Sequence, residues 1–126
     1  MTLQPVRDTE GHRAVNRFWV LLGLLTVLRG WFCAAMPLTG EEAYYWLWSQ
    51  NLALSYFDHP PLTGWLIALM TGIFGHSPFG VRSLAILCHT LTAGILCHAT
   101  WRITRDGAKA AWAGTCFTLG IFFAAT

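Results

Sequence analysis

Charge is what this sequence has least of. Charged residues make up 11% of its 126 residues, against about 25% in an ordinary soluble domain. Hydrophobic residues reach 55%, with seven tryptophans and eight phenylalanines, which is more large apolar surface than so small a globule can hide. The few charges are also clustered, which leaves long uncharged runs. Together these features exclude a soluble domain and point to an integral membrane protein. A net charge of +2, with no dense basic patch, excludes nucleic acid as a partner. The four cysteines, Cys33, Cys88, Cys97 and Cys116, form no CxxC pair, and each sits in an apolar run. They read as small hydrophobes rather than redox or zinc groups. Cys88-His89 and Cys97-His98 look like a repeated metal-ligand pair, but their separation, at about 100° per residue, turns them to opposite faces of one helix. No internal repeat or low-complexity tract is present.

What the chain does have is a succession of apolar runs. Residues 1–17 form a short polar tail, expected in the cytoplasm, with Arg7, Arg13 and Arg17 against Asp8 and Glu10. Phe18–Leu38 follows, broken only by Arg29, and is long enough to cross a bilayer core as a first span. A cleaved signal peptide is the rival reading, since Phe32-Cys33-Ala34-Ala35 offers small residues near its end. The run is long for a signal core and Arg29 interrupts it, so an uncleaved span is expected. Residues 79–101 are the second span, and 110–126 begin a third. Leu62–Phe74 is apolar but short, typical of an interfacial or re-entrant segment. Arginines before the first span, and a basic loop at 102–109, place both on the cytoplasmic side and residues 39–78 outside. The expected fold class is therefore an all-α integral membrane protein with two complete transmembrane helices, the start of a third, and interfacial helices in the first outer loop.

That loop holds most of the chemistry. Thr39-Gly40-Glu41-Glu42 reads as a helix start, with Thr39 as N-cap and Glu42 closing a capping box. The helix is expected over Glu41–Leu54, lying in the interface with its tyrosines and tryptophans at headgroup level. Glu41 and Glu42 serve capping and the helix dipole in the plain reading. In the functional one, a carboxylate at the membrane boundary deprotonates an acceptor hydroxyl or amine, or holds a metal, and burial beside Tyr44, Tyr45 and Trp46 would make it a better base. Asp58-His59-Pro60-Pro61 is either a turn or a stiffened segment that orients a phosphate or a metal. Arg82, near the outer end of its span, either snorkels or binds a lipid phosphate through its planar fork. Arg29 lies deeper, where pairing inside a bundle is expected.

Three motifs at this spacing carry a family likeness: Glu41-Glu42-Ala43-Tyr44-Tyr45-Trp46-Leu47-Trp48, then Tyr56-Phe57-Asp58-His59-Pro60-Pro61-Leu62, then Phe74-Gly75 ahead of Phe79-Gly80-Val81-Arg82. Residues 18–126 resemble the N-terminal part of bacterial GT-C glycosyltransferases of the dolichyl-phosphate-mannose–protein mannosyltransferase and aminoarabinose transferase group. The resemblance implies transfer of a sugar from a polyprenyl-phosphate donor to a lipid, polysaccharide or protein acceptor on the outer face of the bacterial inner membrane, with membrane lipids as further partners. It implies Glu41 as catalytic base with Glu42 beside it. It also implies a substrate-binding set of Asp58, His59, Tyr45 and Arg82, with a divalent metal as a possible cofactor near Asp58 and His59. The family usually has Asp where this chain has Glu41, and the extra methylene shifts a carboxylate by about 1 Å, enough to cost about 100-fold if the pocket were unchanged. Family members also carry many more spans, so the chain is expected to be a fragment of such an enzyme. The alternatives are a small non-catalytic membrane subunit or remnant that docks through its aromatic interface helix, and a piece of a transporter with Arg29 and the histidines on a polar path.

Overall fold

The computed structural model describes the backbone of residues 4–57 and 60–124, and side chains within 9–57 and 60–120. Among these residues the chain is helical, with no strand. Five helices follow in order: α1 (Gln4–Ala35), α2 (Gly40–Gln50), α3 (Leu62–Phe74), α4 (Pro78–Thr104) and α5 (Gly107–Ala124). Two stretches are long and apolar enough to cross a membrane, Thr9–Ala35 and Pro78–Thr104, each of 27 residues. At 1.5 Å per residue each is about 40 Å long, more than the ~30 Å hydrocarbon core requires.

Several boundaries differ from expectation. α1 begins inside the polar tail, because nothing between Pro5 and Ala35 breaks a helix and Pro5 is tolerated in a first turn. It ends before Leu38, because Pro37 disfavours helical backbone at Met36. α2 stops at Gln50 instead of reaching Leu54. Its C-cap is Asn51, whose N–H bonds to Trp48 O. The Tyr56 hydroxyl lies 2.9 Å from both Trp48 O and Asn51 O, sharing its one proton between them, and accepts the Ala53 N–H at 3.2 Å. These bonds satisfy the carbonyls that a continuing helix would have used. α3 has the expected span, with Pro61 in the N-cap position.

The chain divides into two compact units, with α1 and α4 contributing to both. One comprises residues 1–27 and 88–126, the other residues 28–87. In the first, Phe18 and Leu22 of α1 pack with Ala93 and Cys97 of α4 and Ala110 and Ala111 of α5. Small residues let these helices approach closely: the Phe18 ring occupies the space a Cβ would need at Gly114. Such packing suits lipid, where association depends on close contact rather than on the hydrophobic effect. Thr26 and Thr90 hydroxyls lie 3.0 Å apart between α1 and α4. Cys97 is buried and Cys88 exposed, in keeping with opposite faces of one helix.

The second unit is built on aromatic packing of α2 against α3. Trp48 is buried, 7% exposed, and stacks on Tyr56 with ring centroids 4.7 Å apart and planes 10° from parallel. Tyr44 and Tyr45 close on the same indole at 4.7 and 5.1 Å. Gly64 of α3 lies beneath Trp48 and Tyr56, where any larger side chain would crowd them. Trp65 donates its indole N–H to Ala53 O at 3.0 Å. The segment after α2 is thus tied down from both sides, although Leu52, Leu54 and Phe57 remain exposed.

Candidate active site

The acidic pair sits in the first turn of α2, and its two members are used differently. Thr39 is the N-cap, in extended conformation at φ −72° and ψ 166°. Its hydroxyl accepts the Glu42 N–H at 3.4 Å, and Glu42 Oε2 accepts the Thr39 N–H at 2.8 Å and its hydroxyl at 3.1 Å. This is the capping box expected from the T-x-x-E spacing, and it satisfies two otherwise orphaned donors at the helix start.

Glu42 has a second partner, 40 residues away in α4. Arg82 grips the carboxylate with both edges of its fork, Nε to Oε1 at 2.6 Å and Nη2 to Oε2 at 2.5 Å. Its remaining N–H groups reach the carboxyl end of α1: Nη1 to Cys33 O at 3.1 Å and Met36 O at 3.0 Å, Nη2 to Pro37 O at 2.9 Å. A guanidinium has five N–H donors, and all five are engaged. The charges suit their places. The cation lies at the carboxyl end of α1 and the anion at the amino end of α2, each facing a helix-end partial charge of opposite sign. The side chains are 15% and 29% exposed, so the pair lies between a surface bridge worth about 0–1 kcal/mol and a buried one whose breakage costs about 3–5 kcal/mol. Bonding from Arg82, and then from the Thr39 N–H and hydroxyl, outweighs partial burial and holds the Glu42 carboxyl at about 2.

Glu41 is exposed, and its carboxylate has no hydrogen-bond or ion-pair partner among the described residues. It projects from a helix start that Thr39, Glu42 and Arg82 fix in place. Tyr45 is half-buried, its ring 6.4 Å from that of Tyr44 and 5.1 Å from that of Trp48. Trp46, one residue on, points its indole N–H at His76 Nδ1, 3.4 Å away. Asp58 and His59 lie outside the described residues. Among the described residues no three His, Cys, Asp or Glu side chains converge as a metal site, and no step is assigned to a metal.

The structure brings Glu41, Glu42 and Arg82 into one region and joins the last two in a network that no local motif announces. One signal for it was present. Arg82 is the only lysine or arginine between Arg29 and Arg102. It needs an anion near a membrane boundary, and Pro37 leaves the end of α1 with carbonyls that need donors. Ser77 is a further residue that the sequence reading leaves unassigned. It caps α4, accepting the Gly80 N–H at 3.1 Å, with Pro78 at the first helical position.

Comparison with known proteins gives the family. Over 57 residues the chain is 42% identical to the lipid A galacturonosyltransferase RgtD of Rhizobium johnstonii, covering 44% of this chain and 12% of that protein. It is 33% identical over 72 residues to the undecaprenyl phosphate-alpha-4-amino-4-deoxy-L-arabinose arabinosyl transferase of an Enterobacter species, covering 57% of this chain and 13% of that protein. The transferase of the same name from Pseudomonas paraeruginosa is 35% identical over 74 residues, covering 56% and 13%. The matched stretch therefore spans only 12–13% of the length of these relatives. No solved structure matches. A model of the dolichyl-phosphate-mannose-protein mannosyltransferase family matches residues 58–126, with Glu41 and Glu42 just upstream. With more than half of its residues matched, and with two apolar helices of spanning length, the chain belongs to the dolichyl-phosphate-mannose-protein mannosyltransferase family of membrane glycosyltransferases.

Proposed function

We propose that this chain is the N-terminal part of a transferase that moves a sugar from a polyprenyl-phosphate donor to an acceptor on the outer face of the bacterial inner membrane, with Glu41 as general base. The observation that carries the reading is the division of labour in the acidic pair. Glu42 is held by five hydrogen bonds, counting its own N–H, to Thr39 and Arg82. Glu41 keeps an exposed carboxylate with no partner among the described residues. In the proposed step Glu41 takes the proton of an acceptor hydroxyl or amine. The freed lone pair attacks the anomeric carbon, the bond from that carbon to the phosphate oxygen breaks, and its electron pair departs with the polyprenyl phosphate. Names among the relatives, a lipid A galacturonosyltransferase and undecaprenyl-phosphate aminoarabinose transferases, support a lipid-linked donor and favour a lipid acceptor. Asp58 and His59 are assigned to the donor side and Tyr45 to the wall behind Glu41.

The direct test supplies membranes containing the protein, expressed from its own gene, with undecaprenyl-phosphate-linked galacturonic acid or aminoarabinose carrying a radiolabel. Label is expected in the lipid A fraction, with release of undecaprenyl phosphate. Membranes that move no sugar from any polyprenyl-phosphate donor, yet carry correctly inserted protein, would overturn the reading.

The same proposal places the loop of residues 39–78 outside. Ser55 is exposed in it, so a Ser55→Cys variant in a cysteine-free background should react with an impermeant maleimide in right-side-out vesicles. Labelling confined to inverted vesicles would reverse the topology.

A further inference from the structure

The position of Arg82 suggests a phosphate ligand: it is basic, at the outer end of a span, and close to the acidic pair. Its geometry points elsewhere. A phosphate could bind the fork only by displacing Glu42 or one of three backbone carbonyls, and the Glu42 carboxylate and the Cys33 carbonyl would lose their Arg82 bonds in part-buried surroundings, where a lost partner is costly. The displaced carboxylate would also repel the incoming phosphate. Four pieces of chain meet on this one side chain: the last turn of α1 at Cys33, the connector at Met36 and Pro37, the first turn of α2 at Glu42, and α4, which carries Arg82 itself.

Building on the transferase reading above, we infer that Arg82 is a positioning residue, locking α2 between α1 and α4 so that Glu41 is presented at a fixed height, and is not a ligand of the donor phosphate. The fork shape is essential to this role. Five donors in a rigid plane can serve one carboxylate and three carbonyls at once, whereas a lysine ammonium offers three donors on a flexible stem and cannot span them. Charge alone therefore does not suffice.

The two roles separate in kinetics. A phosphate ligand binds donor and departing product alike, so its loss raises the donor KM and weakens product inhibition. A positioning residue acts on the placement of Glu41, so its loss lowers kcat with both constants unmoved. The experiment measures kcat, donor KM and the inhibition constant of undecaprenyl phosphate for wild type, Arg82→Lys, Glu42→Gln and the double variant, in native membranes. The expected result is a fall in kcat of about 100-fold, as for a base misplaced by about 1 Å, in each single variant. The double variant should fall no further, because both substitutions break one unit, and KM and product inhibition should stay within twofold. A tenfold weakening of product inhibition in Arg82→Lys but not in Glu42→Gln would make Arg82 a phosphate ligand and overturn the inference. So would wild-type turnover in both single variants. If Arg82→Lys fails to fold, Glu42→Gln decides alone, because it leaves the cation in place: lowered kcat at constant KM supports positioning, and unchanged kcat overturns it. The transferase reading stands or falls separately, on whether the wild-type membranes transfer sugar at all.

Discussion

Replacing Glu41 by Gln is expected to lower kcat for sugar transfer by about 100- to 10,000-fold, the range over which a positioned general base contributes, or about 3–5 kcal/mol of barrier at 1.36 kcal/mol per decade. The amide keeps size and helix propensity, and Glu41 has no partner among the described residues whose loss would disturb the fold. The donor KM should therefore hold while kcat falls, the mark of an interaction made only in the transition state. Glu41→Asp should fall between the two. It stays a carboxylate, but the α2 start is pinned by Thr39 and Arg82 and cannot shift to recover the lost methylene. Steady-state assays in membranes check both, and transfer by Glu41→Gln within threefold of wild type would remove Glu41 from the chemistry.

The acid limb of the pH–rate profile offers an independent check on Glu42. Its carboxyl is depressed to about 2 from an ordinary 4.5. A carboxyl lowered on folding stabilises the fold fully above its unfolded value, and that contribution is lost as pH falls through the folded value. The Arg82–Glu42 lock is thus constant from about pH 5 upward and dissolves only toward pH 2. Any loss of transfer between pH 5 and 8 belongs to another group and should persist in Glu42→Gln.

Much of this architecture was legible in sequence, for identifiable reasons. The apolar runs Phe18–Leu38 and 79–101 could hardly be anything but long helices, and T-x-x-E at residues 39–42 is a local motif whose bonds all form within one turn. α3 was bounded by Pro61 and Gly75, two residues that punctuate backbone whatever surrounds them. What escaped depended on residues distant in the chain. The end of α2 is set by the hydroxyl of Tyr56 and the stack of its ring on Trp48, and the hydrophobic pattern alone carries the helix on to Leu54. The extension of α1 into the polar tail has no apolar signature to announce it, although nothing there stops a helix. At the candidate site, T-x-x-E already sets Glu42 apart from Glu41 as the capping residue. The grip of Arg82, 40 residues on, has no local motif to announce it.

The second large effect is expected at a residue with no side chain of its own, Gly80. A Cβ built there would run into the carbonyl oxygen of Gly75, which cannot easily retreat. It accepts the Ser77 N–H at 2.9 Å, and Gly75 itself adopts φ +81°, a left-handed conformation open to glycine and strained for other residues. Gly80 is also the residue whose N–H the Ser77 cap satisfies, so pushing it away loosens the first turn of α4. Overpacking of this kind costs about 1–3 kcal/mol. Arg82 follows two residues later in the same turn, and a shift of about 1 Å there carries the fork off Glu42 and the α1 carbonyls, with a rate penalty of about 100-fold if Glu41 moves with it. Gly80→Ala should therefore melt earlier in detergent and transfer sugar poorly. Gly72→Ala is the matched control. Its Cβ meets nothing within 4 Å, and alanine in a helix gains about 0.5–1 kcal/mol over glycine, so that variant should be at least as stable as wild type and fully active. Thermal unfolding followed by tryptophan fluorescence, beside the transfer assay, reads both. Equal stability and turnover in the two variants would mean that the α4 start tolerates displacement, and that the lock on Glu42 does not depend on the turn that carries it.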